Sequence, residues 1–190
     1  LFFGCESFNA DISSWVTSEV TNMVAMFMNC KSFNQDISGW DVSKVTNMYA
    51  MFWHCYKFNA GKGAGVSSPL NWNTASLQKA TNMFVDCFAF NADVSGWNVE
   101  NVHEMNGMFQ NCDKFNQSLS NWNPKKCFNF TSMLTSVDSY INGDQKNSLC
   151  SWKDRIGKHT NDKDESNSRV LTHQPFGYSV TFTKYFADRC

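Results

Sequence analysis

Five cysteines recur at a nearly fixed pitch: Cys5, Cys30, Cys55, Cys87 and Cys112 stand 25, 25, 32 and 25 residues apart. Each opens a unit with Phe and Asn at its fourth and fifth positions: Phe8-Asn9, Phe33-Asn34, Phe58-Asn59, Phe90-Asn91 and Phe115-Asn116. A period in the twenties constrains the fold strongly, because so short a unit buries its apolar face only by stacking on neighbours. The expected architecture is of the α/β repeat class: a right-handed, leucine-rich-repeat-like solenoid of about five 25-residue rungs with a parallel sheet, over residues 1–136.

Superposed, the units define further columns. Trp15, Trp40, Trp72, Trp97 and Trp122 form one; Val20, Val45, Leu77, Val102 and Cys127 another. Met26, Met51, Met83, Met108 and Met133 precede Phe27, Phe52, Phe84, Phe109 and Leu134. The third unit keeps register if its seven extra residues fall between Asn59 and Trp72, around Gly61-Lys62-Gly63-Ala64-Gly65 and Pro69. Val45, Met48, Met51, Phe52 and Cys55 lie at i, i+3, i+6, i+7 and i+10, the stripe of a short helix that Asp41 or Ser43 would cap. Phe33 and Ile37 on one face of residues 33–38 predict a strand of about five residues.

The run Phe-Asn-Gln-Asp-Ile-Ser-Gly-Trp-Asp-Val-Ser-Lys-Val-Thr-Asn-Met-Tyr-Ala-Met-Phe, residues 33–52, resembles bacterial surface-protein repeats related to the BspA-like leucine-rich repeats. The resemblance covers about residues 1–136 and departs at the third unit's insertion and after Trp122. It implies a repeat module of a surface or secreted protein with an adhesion or protein-binding role. It implies no catalytic signature.

Leu1-Phe2-Phe3-Gly4-Cys5 aligns with Met26-Phe27-Met28-Asn29-Cys30, so the chain begins inside a repeat and reads as a fragment of a longer polypeptide. Composition shifts after Ser136. Residues 1–136 hold 8 basic and 10 acidic side chains; residues 137–190 hold 8 and 7, a doubled charge density. The second segment reads as a polar, irregular C-terminal cap with short strands, alternating apolar and polar residues over 175–186. Without a basic stripe to meet phosphates, nucleic acid is not an expected partner. No apolar run approaches the ~20 residues of a transmembrane helix.

The recurring residues invite functional readings, and each has a simpler structural one. Column cysteines project in parallel and fit a stack of buried, free thiols better than disulfides. Cys127 sits in an apolar column, which leaves Cys150 and Cys190 as the disulfide candidates. The Trp column reads as core with each indole N–H on a carbonyl, and the Asn column as a ladder that bonds adjacent turns. Asp11, Asp36 and Asp93 could offer oxygens to calcium, but the column fails in two units and no Asp/Gly-rich loop accompanies it. The glycine-rich insert lacks phosphate-loop spacing, and His54, His103, His159 and His173 lack metal-ligand spacing. Of two sequons, Asn116 belongs to the buried column, so Asn129 is the candidate glycosylation site.

These readings give no catalytic, metal or cofactor site. The expected function is a non-enzymatic repeat scaffold at a cell surface or in a secreted protein, binding a protein or glycan partner. The alternative is a structural or accessory subunit packed within a larger multiprotein assembly.

Overall fold

The computed structural model describes residues 1–137, 139–140 and 148–152 of the chain. From residue 1 to 137 the backbone is a succession of turns, bends and isolated bridges. Through the second unit and into the third, N–H groups reach carbonyls three residues back: Trp40 to Ile37, Val45 to Val42, Met51 to Met48, Trp53 to Ala50, Cys55 to Phe52 and Phe58 to Cys55. Most of these turns carry apolar residues at both ends, and those ends point into the core.

The bonds between units follow an equally regular rule. Ala50, Phe52 and His54 donate their N–H groups to Thr81, Met83 and Val85 of the next unit at 2.9–3.0 Å. Equivalent donors recur at Ala25, Phe27 and Asn29, and at Asn82, Phe84 and Asp86. Single parallel bridges link Asn22 to Asn47, Asn47 to Lys79, Lys79 to Glu104, and Glu104 to Asn129.

This architecture corrects the expected fold class. The units contain no helix, and isolated bridges stand where a parallel sheet was expected. The chain is therefore not a leucine-rich-repeat-like solenoid. The expected helix fails for a local reason. Ala25 and Asn29, Ala50 and His54, Asn82 and Asp86, Gly107 and Asn111, and Ser132 and Ser136 all have positive φ. Left-handed residues four apart break an α-helix, and each costs a non-glycine residue about 1–2 kcal/mol. The three-residue apolar spacing that mimics a helix face is satisfied instead by chained turns. Asp41 does cap, but it caps a turn: its Oδ1 accepts the Ser43 N–H at 2.9 Å. The expected strand at residues 33–38 is absent because its neighbours meet it through side chains rather than a continuous ladder.

The core is a set of aromatic rows along the stack. Phe8, Phe33, Phe58, Phe90 and Phe115 succeed one another with ring centroids 5.7–6.0 Å apart. Phe27, Phe52, Phe84 and Phe109 form a second row, 5.5–5.7 Å apart. The rows interlock, as at Phe52 and Phe58, 4.0 Å apart. The first row continues past Ser136, where Tyr140 stacks on Phe115 at 5.8 Å, and the Trp column continues with Trp152 of the 3-10 helix Ser148–Trp152, which stacks on Trp122 at 6.2 Å.

One glycine is required by this packing. Gly61 has φ +77°, and a Cβ there would lie 2.9 Å from the backbone nitrogen of Asp36. Gly61→Ala is expected to cost about 2–4 kcal/mol, from left-handed strain plus overpacking against backbone. Urea unfolding of the two proteins checks this.

Candidate binding groove

The extra residues of the third unit are tied to the asparagine column. Asn34 Nδ2 donates to Lys62 O at 2.9 Å, and Asn59 Nδ2 to Gly63 O and Val66 O at 2.6 and 2.9 Å. Asn91 Nδ2 donates to Gly65 O at 2.8 Å. The same side chains form a ladder. Asn9, Asn34, Asn59 and Asn91 each accept, through Oδ1, the backbone N–H of the next column asparagine at 2.8 Å, ending at Asn116. One residue type thus pins successive units and moors the inserted loop.

The moored loop walls a groove of about 480 Å³ on the side of the stack. Tyr56, Lys57, Lys62, Phe88, Asp113 and Lys114 are among its lining residues. Tyr56 and Phe88 stack with centroids 5.1 Å apart, and Phe88 remains 40% exposed. In the next unit the equivalent position is Asp113, so the ring pair has no third member. The Lys114 stem lies against Gly65, whose Cβ position is 3.5 Å from the lysine Cβ. Lys62 stands 3.9 Å from Asp36. Among the described residues Lys57 and Lys114 form no ion pair. Beside the groove, His54 Nδ1 meets Asp86 Oδ2 at 3.0 Å, and Asn111 Nδ2 donates to Asp86 Oδ1 at 2.6 Å. His54 also meets Tyr56 edge-on at 5.9 Å.

The other candidate residues fall into structural places. Cys30, Cys55, Cys87 and Cys112 are free and buried, and their thiols donate to Phe2, Phe27, Phe52 and Phe84 carbonyls at 3.0–3.1 Å. Burial pushes Cys30 up to about 11 and holds Cys55, Cys87 and Cys112 well above the usual thiol range. Cys5, expected to be buried with them, is free but exposed. Cys127 is free and buried. Cys150 is in a disulfide; Cys190 lies outside the described residues, as do His159, His173 and the segment 153–190.

Trp40, Trp72, Trp97 and Trp122 are buried, and their Nε1 groups donate to Ile12, Ile37, Leu70 and Val94 carbonyls at 2.7–3.1 Å. Trp15, in the first unit, is 40% exposed. The aspartates act in turns: Asp11, Asp36 and Asp93 accept the N–H groups of Ser13, Ser38 and Ser95 at 2.9–3.0 Å. Hydrogen bonds from Ser38 hold the Asp36 carboxyl below its ordinary range. Among the described residues no group of three His, Cys, Asp or Glu could hold a metal. Asn129 is half-buried, and its Oδ1 accepts the Thr131 N–H of its own sequon at 3.1 Å.

A paired substitution separates column from site. Asn34→Ala removes the partner of Asn59 N–H, Gly61 N–H and Lys62 O, and about 2–4 kcal/mol of stability should go with it. Asp36→Ala loses one exposed turn, at most about 1 kcal/mol. Denaturant titrations with and without calcium check both values, and neither should depend on the ion.

The groove residues Tyr56, Lys57, Phe88 and Lys114 escape a reading based on recurrence, because they occupy the two positions after Cys where units differ. Their one signal is adjacency to the insertion. The arrangement defines a turn-built repeat protein with a lateral groove. The chain belongs to DUF285, described as a Mycoplasma protein of unknown function, whose family model matches twice, over residues 1–68 and 65–148. No curated protein matches the chain. Among the described residues no helix is long and apolar enough to cross a membrane.

Proposed function

We propose that this chain is a non-enzymatic binding module of a cell-surface or secreted protein, and that its partner, a protein or glycan, enters the groove beside the inserted loop. The observation that carries this reading is the loop itself. One unit departs from the repeat, and three column asparagines fix the departure in place around two stacked, partly exposed rings and three lysines. A pocket of a few hundred Å³ with an apolar floor and a few polar groups suits ligand capture. Holding the loop rigid before binding lowers the ordering cost. The resemblance to BspA-like surface repeats supports the surface setting, and membership in a family described from Mycoplasma agrees with a bacterial surface repeat. The non-enzymatic reading draws on side chains already engaged: aspartates bound into turns and thiols driven away from the reactive thiolate.

The test is binding of the labelled chain to paired glycan and protein arrays, repeated with Phe88→Ala. The expected result is binding that Phe88→Ala weakens by about tenfold or more, with unfolding midpoints unchanged. Binding equal in both proteins, or no binding, would overturn the reading.

A further inference from the structure

We infer that the groove takes a sulfated polysaccharide, a chain of pyranose rings bearing fixed negative charges; this rests on the binding-module reading above. Three lysines and one carboxylate, Asp113, line the same groove. The Lys57 and Lys114 ammonium groups lack an ion-pair partner among the described residues, and Lys62 has a distant one. An ammonium is a compact point charge suited to single anionic oxygens. Sulfate stays ionised at any physiological pH, so it would pair with these groups throughout.

The floor supplies the second requirement. Tyr56 and Phe88 make a two-ring stack whose next position along the units is the short side chain Asp113, and Phe88 stays 40% exposed. That leaves a ring-sized site flanked by lysines from the third and fifth units and the loop. The apolar face of a sugar ring can lie there while its charged substituents reach outward to the lysines.

The backbone argues against an acidic peptide as the occupant. Extended peptides draw affinity from a row of unpaired main-chain groups. Here those groups are engaged: Gly65 N–H goes to Ala89 O and Ala89 N–H to Tyr56 O at 2.9 and 3.3 Å, while Lys62, Gly63 and Gly65 carbonyls take asparagine amides. Side chains and ring faces remain, and these match a charged sugar better.

The experiment is titration of the full chain with a heparin-derived hexasaccharide and, separately, with poly-glutamate, at two salt concentrations. Three proteins are compared: the parent, the groove variant Lys57→Gln/Lys62→Gln/Lys114→Gln, and Lys44→Gln/Lys125→Gln/Lys126→Gln, which removes the same three charges' worth outside the groove. The expected result is heparin binding that weakens with salt, falls about tenfold or more in the groove variant and is kept in the other. Equal loss in both variants would mean diffuse charge attraction and would overturn the inference. So would poly-glutamate binding more tightly than heparin with the same dependence on the groove, although the binding-module reading would survive. Array binding that Phe88→Ala abolishes, with no heparin binding, would likewise overturn only the sulfated-glycan inference. Absence of any groove-dependent binding would overturn both.

Discussion

Asn59→Ala is expected to lower unfolding free energy by about 3–5 kcal/mol, the largest loss for any single polar residue in the stack. Asn59 is fully buried. Its Oδ1 takes the Asn91 N–H at 2.8 Å, and its Nδ2 serves Gly63 O and Val66 O at 2.6 and 2.9 Å. Alanine leaves the Asn91 N–H and the Val66 carbonyl without that partner, leaves Gly63 O with only the Val66 N–H, and frees the loop that walls the groove. Nearest-neighbour cohesion in a repeat stack spreads the damage to the units on either side. Asn59→Asp separates the two halves of the amide. It keeps the acceptor for Asn91 but turns a carboxylate toward two carbonyls, so it should be less stable than the parent near neutral pH and recover partly on acidification. Urea titrations give both values, and a loss below about 1 kcal/mol for Asn59→Ala would contradict the ladder.

Stability should also collapse at alkaline pH. Cys55, Cys87, Cys112 and Cys127 are buried, and desolvation, the main cause in each, drives their thiols far above the ordinary range. In the unfolded chain the same thiols ionise near pH 8.5. The unfolded state therefore sheds protons first. Stability is intact below that pH and falls as pH rises toward the folded values. Once the unfolded-state thiols are ionised, each contributes about 1.4 kcal/mol per pH unit, or about 5 kcal/mol per unit for four. Unfolding under inert atmosphere at successive pH values reads this slope. Cys30, pushed up to about 11, adds a fifth thiol to the slope below that pH, so Cys87→Ala should reduce it by about a fifth, whatever it does to stability at pH 7. A flat profile through pH 10 would contradict the burial of the thiol column.

Much of this structure was legible in the residue columns. Register, the free buried thiols of the inner units, the Trp N–H to carbonyl bonds and the asparagine ladder all follow from a residue type recurring once per unit. Local conformation was not legible by the same route. Apolar residues three apart fit one stripe of a helix and the ends of chained turns equally well. The discriminating signal was the weaker column Ala25, Ala50, Asn82, Gly107 and Ser132, with Asn29, His54, Asp86, Asn111 and Ser136 four residues on. These are mostly small or Asx-type residues, the ones suited to positive φ. The continuation of the rows to Tyr140 and Trp152 was obscured because Val137 stands where a Cys is expected and Trp152 lies thirty residues after Trp122. The groove was hidden for the opposite reason. Repetition reveals what holds the stack together, whereas Tyr56, Phe88 and the three lysines do not repeat.

The most direct test of the account is amide hydrogen exchange, read residue by residue by NMR. If units are pinned through asparagine side chains, the backbone N–H groups of Asn59, Asn91 and Asn116 exchange as slowly as those of Phe52 and Phe84, which bond to neighbouring carbonyls. In Asn59→Ala the Asn91 N–H should lose that protection first. Rapid exchange at Asn59, Asn91 and Asn116 in the parent protein, with Phe52 and Phe84 still protected, would contradict it.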